Sequence, residues 1–152
     1  MSNPFFTNNN WLLITDIPVL GKSTGDFKPA NPDSPYSVWG IPRDGVVYDE
    51  LISVFGASVK SSIEKEEKLD DQPFSSEEQR ELLRNLKVKI DYYLANRPEP
   101  ISGYELEIQG IRILIDIRNN AFWDRPLSTM IRLYDIVFRA SETKGTIYLN
   151  LD

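Results

Sequence analysis

The sequence predicts an α+β fold: a helical hairpin plus one further helix, packed on a mostly antiparallel β-sheet. Three observations predict it. Two stretches of apolar residues at helical spacing flank a capping box, Ser75-Ser-Glu-Glu78. Two runs of strict alternation meet at Gln109-Gly110. Trp11–Thr15 and Thr146–Leu151 are apolar runs of strand length.

Residues 1–10 are polar and Asn-rich, with only Phe5 and Phe6 to pin them, and are expected to fray. Trp11–Thr15, closed by Asp16 and Pro18, reads as a buried strand. From Gly21 to Asp44, four prolines and three glycines make a loop-rich segment, within which Tyr36–Ile41 fits a short edge strand. Val47, Leu51, Ile52, Phe55, Val59 and Ile63 recur at helical spacing and predict one amphipathic helix over about 47–68. Asp70-Asp71-Gln72-Pro73 ends it. A second helix follows the capping box over about 76–95, burying Leu82, Leu83, Leu86, Ile90, Tyr93 and Leu94 and stopping before Pro98. The short connection implies an antiparallel hairpin with the acidic run at its tip.

Tyr104, Leu106 and Ile108, then Ile111, Ile113, Ile115 and Ile117, alternate with polar residues as two hairpin strands. A loop with Phe122 and Trp123 leads to a third helix, opened by Asp124 as cap and Pro126 in the first turn. Its β-branched and aromatic content leaves a strand over 126–141 as the rival. Ile147, Leu149 and Leu151 share one face of the last strand. With no repeat or linker, the 152 residues read as one globular domain.

Composition removes whole classes of chemistry. The chain has no cysteine and no histidine. Disulfides, thiol nucleophiles, His-dependent triads and His- or Cys-ligated metals are excluded. A pI near 4.8 argues against nucleic acid as a partner. The absence of a targeting or spanning segment gives no membrane and a cytoplasmic expectation. No cofactor is implied, and the oligomeric state stays open.

Charge is concentrated. Glu64, Glu66, Glu67, Asp70, Asp71, Glu77, Glu78 and Glu81 stand against Lys65, Lys68 and Arg80, a local net of −5 in a chain of −6. Such a run is a solvated helix tip, a cation site or a surface for a basic protein. It lacks the ligand alternation of a calcium loop, so no metal is expected. Gly21-Lys-Ser-Thr24 resembles the tail of a phosphate-binding loop, but Asp16 occupies the position of the required first glycine, and the segment reads as a polar turn. Glu105 and Glu107, with Arg112 and Asp116, could build a carboxylate pair for acid–base chemistry, or simply form the open face of a hairpin. Phe27, Tyr36, Trp39, Phe122 and Trp123 fall in loops, as core pins or interface anchors.

In its size, its lack of histidine and cysteine and its acidic run Glu64–Glu81, the chain resembles immunity proteins of bacterial toxin–immunity systems, particularly of the contact-dependent growth-inhibition type. The resemblance implies a small acidic inhibitor, not an enzyme, that neutralises a nuclease-type toxin by stoichiometric binding. The eight carboxylates would meet the toxin's basic cleft, with Trp39 and Trp123 as anchors. The rival readings are a self-associating or adaptor domain, pairing through an edge strand or the aromatic loops, and a carboxylate-based enzyme.

Overall fold

The computed structural model describes residues 11–18, 38–65 and 69–151. The elements run β1 (Trp11–Thr15), β2 (Val38–Pro42), α1 (Val46–Leu51), a 3-10 turn (Ile52–Val54), α2 (Ala57–Lys65), β3 (Leu69–Pro73), α3 (Ser76–Asn96), β4 (Tyr104–Ile108), β5 (Ile111–Ile115), α4 (Ala121–Glu142) and β6 (Tyr148–Leu151). The fold is α+β, with helices packed on antiparallel sheet.

Four strands form one antiparallel sheet in the order β2-β1-β6-β3, and β4 pairs with β5 as a separate hairpin. The registers bring apolar residues together on one face of the larger sheet. Leu12 lies opposite Ile41 and Leu151, and Ile14 opposite Trp39 and Leu149. All six are buried. Against them lies α4, buried on several sides through Leu127, Met130, Leu133, Ile136 and Val137. It packs on α3, α1, β2 and β4, and so forms the centre of the molecule. Its register settles residues 126–141 as helix.

The helix expected over 47–68 is divided. Phe55 adopts an extended conformation (φ −75°, ψ 139°) between the 3-10 turn and α2. Gly56 follows it, the poorest helix former after proline. A Cβ there would sit 2.2 Å from Oε1 of Glu81, so the carboxylate of α3 occupies the space that a side chain would need. The break still lets Leu51, Val54, Phe55, Val59 and Ile63 all reach the core.

The connection before α3 is a strand, not a helical tip. β3 pairs antiparallel with β6 despite the weak strand propensity of Asp-Asp-Gln-Pro. A register shift between Leu69 and Gln72 accommodates Asp71 at φ 49°. The amide of Asp71 donates to Oδ1 of buried Asn150 (2.8 Å), and Asn150 Nδ2 returns a bond to Asp71 Oδ1 (3.2 Å). Phe74, buried, then pins the chain before Ser75 caps α3. The capping box forms as expected, with Glu78 N donating to Ser75 Oγ and Ser75 N to Glu78 Oε1.

The third helix begins earlier than expected. Asn120 is the residue before its first turn, and Pro126 lies inside. The missing proline N–H costs the bond to the Phe122 carbonyl, which lies in the first exposed turn where the loss is small. Asp124 is therefore not a cap but a buried residue within the helix.

Candidate functional site

One face of α3 carries Asn85, Lys89 and Tyr92 at successive turns, with Tyr93 beside them. Asn85, Lys89 and Tyr93 stitch the end of α1 and the 3-10 turn to the helix. Asn85 Nδ2 donates to the Val54 carbonyl at 3.0 Å, satisfying the end of the 3-10 turn. Lys89 Nζ donates to Ser53 Oγ at 3.1 Å and lies 3.7 Å from Glu50 Oε2. The Tyr93 hydroxyl donates to the same Glu50 oxygen. Burial, with the Glu50 carboxylate beside it, pushes the Tyr93 hydroxyl well above its ordinary value, so it remains a donor.

The start of α4 closes the far side. Trp123 meets Tyr93 edge to face with centroids 5.3 Å apart, and Phe122 meets Trp123 the same way at 5.9 Å. Tyr92 lies 6.4 Å from Trp123. Between these rings and Glu50 is a cleft of about 590 Å³. Its rim is unusually bare: Phe122 is 73% exposed, Val88 66% and Tyr92 58%. Large exposed apolar groups gathered at one cleft mark an interaction site more often than scattered ones do. A second, smaller cavity of about 430 Å³ lies between Trp39, Tyr104, Ile117 and Arg132.

The residues singled out from sequence fare differently. Glu64 is exposed at the end of α2, 4.0 Å from Lys60. Asp70 is exposed on β3, Asp71 is tied to Asn150, and Glu77 is exposed in the first turn of α3. Glu78 is used by the capping box, and Glu81 is half-buried against Gly56. Glu66 and Glu67 lie outside the described residues, as do Gly21–Thr24, Phe27 and Tyr36. The five residues of β3 span roughly 15 Å, so the acidic run is drawn out along a helix end, a strand and a helix start. It is not one tip.

Trp39 is not in a loop. It sits on β2, 6% exposed, with its indole N–H donating to the Thr129 carbonyl at 3.1 Å. It belongs to the core. Trp123 is the aromatic that does line a cleft.

The proposed carboxylate constellation is not assembled. Arg112 lies between Glu105 (3.9 Å) and Glu107 (3.6 Å), all three on the open face of the hairpin. Asp116 is buried elsewhere, accepting from the amides of Asn119, Ile101 and Ser102. Among the described residues, no three carboxylates gather as metal ligands do. Sequence reasoning missed Glu50, Lys89 and Tyr92. The signal was there for Tyr92: with Val88 it places two apolar residues one turn apart on the face of α3 that periodicity assigned to solvent.

No helix among the described residues is long and apolar enough to cross a membrane. No protein-family model, curated protein or solved structure matches the chain.

Proposed function

We propose that this chain is a small, acidic, non-catalytic binding protein that acts in the cytoplasm. It neutralises a basic protein, of the nuclease-type bacterial toxin class, by stoichiometric binding through the aromatic cleft. The observation that carries the reading is the bare cluster of Phe122, Tyr92 and Val88 around Trp123, next to the Glu50 carboxylate. Aromatic groups presented at a partly desolvated cleft are the usual anchors of protein interfaces. The exposed carboxylates Glu64, Asp70 and Glu77 supply a field that speeds encounter with a basic partner. The titratable groups at the cleft are engaged with one another: Tyr93 and Lys89 both bond Glu50, which suits a structural wall better than an acid–base pair.

The test takes the product of the gene that neighbours this chain's own and assays it for nuclease activity, alone and with the chain added. Calorimetry is expected to give one-to-one binding with loss of nuclease activity, and Phe122→Ala with Tyr92→Ala to weaken it by roughly 2–4 kcal/mol. A chain that leaves the nuclease active while sedimenting as a concentration-dependent dimer overturns the reading. The same apolar rim would then be a self-association surface.

A further inference from the structure

We propose that the cleft is a guanidinium site, taking an arginine side chain of the basic partner between the aromatic rings and the Glu50 carboxylate. The inference rests on the binding function proposed above and names the chemistry of that site.

Four features point to it. Indole and phenol rings attract cations through their negative faces, tryptophan most strongly, and the cleft is lined by Trp123, Tyr92, Tyr93 and Phe122. Glu50 lines the same cleft. Its Oε2 is taken by Tyr93 and Lys89, whereas Oε1 makes no hydrogen bond among the described residues. The volume of about 590 Å³ lies in the range of sites that hold a small ligand. The chain's net charge of −6 favours the approach of a cation to the molecule as a whole, although most of it lies over Glu64–Glu81, outside the cleft lining.

The competing occupants fit less well. An apolar side chain closing the cleft would strip water from Glu50 and give Oε1 no donor in return, which is costly for a carboxylate. An anion would face that carboxylate directly. An ammonium carries the same charge but is a compact, strongly hydrated point charge that loses more water on entering an aromatic cleft. A guanidinium is planar, weakly hydrated and able to stack on a ring while its N–H groups reach a carboxylate. Lys89 is already held by Ser53 and Glu50, which leaves the aromatic side of the cleft for the incoming group.

The test follows the indole N–H resonance of Trp123, assigned with Trp123→Phe, during titration with N-acetylarginine amide. Neutral N-acetylcitrulline amide and apolar N-acetylnorleucine amide serve as comparisons. A saturating shift is expected for arginine, with affinity roughly fivefold or more above either comparison. Glu50→Gln keeps an oxygen for Tyr93 and should lower the arginine affinity roughly tenfold while the spectrum stays folded. An equal response to norleucine, no saturating response to arginine, or full affinity in Glu50→Gln overturns the guanidinium site. Nuclease binding that Phe122→Ala weakens, in a chain silent to arginine, sinks this inference alone. An arginine response in a chain that leaves the nuclease active sinks the inhibitor reading alone.

Discussion

Arg97 Nη1 lies 3.0 Å from Asp124 Oδ2, and the pair joins the end of α3 to the first turns of α4 almost out of contact with water. Neither residue is at a surface where such a pair would be worth little. Asp124 also accepts from the amide of Asp116 at 2.7 Å and from Asn120 Nδ2 at 3.2 Å, and Arg97 donates to the Leu114 carbonyl at 2.8 Å. One buried carboxylate thus fixes α3, β5 and α4 to one another and sets where Trp123, its neighbour in sequence, meets Tyr93.

Asp124→Ala should cost about 3–5 kcal/mol, because it leaves the Arg97 guanidinium buried without its counter-charge. Urea denaturation monitored by tryptophan fluorescence reads this directly. A loss under about 1 kcal/mol would mean that Arg97 swings to water and that the pair holds nothing together.

Asp116 makes stability depend on pH in the acid range. The Asn119 amide is the main cause that holds its carboxyl at about 2, below the ordinary 3.8; the Ile101 and Ser102 amides assist, and burial opposes. Folding therefore favours the charged form. The stabilisation is complete above 3.8 and is lost as pH falls through about 2. Asp116→Asn should be less stable near neutrality and should show a flatter fall between those two values. A variant with the same acid slope as the parent would place the acid sensitivity elsewhere.

Gly103→Ala tests the turn into β4. Gly103 has φ +150°, and an added Cβ would lie 1.8 Å from the Ile115 carbonyl oxygen. That neighbour is backbone within a paired strand, so it cannot yield as a side-chain end would. A loss of roughly 2 kcal/mol or more is expected in thermal or urea unfolding. An unchanged midpoint would show that the turn moves freely.

How far the sequence was legible depends on how local the cause was. The start of α3 and the pairing of β4 with β5 follow from residues within a few positions: Ser75 with Glu78, and Gln109-Gly110 with φ values of 48° and 82°. The break at Phe55-Gly56 and the strand at Leu69–Pro73 have distant causes. One is the Glu81 carboxylate filling the space beside Gly56, the other Asn150 bonding Asp71 from 79 residues away. Propensity carries no trace of either. The site divides the same way. Trp123 was visible as an aromatic near a helix start, but Glu50 becomes part of a site only through Tyr93, 43 residues further on.

The two adjacent aspartates of β3 should therefore behave as opposites. Asp70 is exposed, and Asp70→Ala should change stability by less than about 0.5 kcal/mol. Asp71 holds a left-handed backbone position and accepts from the buried Asn150 amide, whose loss would leave that donor without this acceptor. Asp71→Ala should cost about 1–3 kcal/mol in urea denaturation. For binding the order reverses. Exposed Asp70, Glu64 and Glu77 can steer a basic partner, so Asp70→Asn with Glu64→Gln and Glu77→Gln should slow association and flatten its dependence on salt while leaving the fold intact. Stopped-flow association with the partner proposed above, at two ionic strengths, measures both. An unchanged on-rate and salt slope in that triple variant would reduce the acidic run to a solvated surface. A loss in Asp71→Ala no larger than the small one expected of Asp70→Ala would mean that the bond from Asn150 Nδ2 to the Asp71 side chain contributes nothing to holding β3 on the sheet.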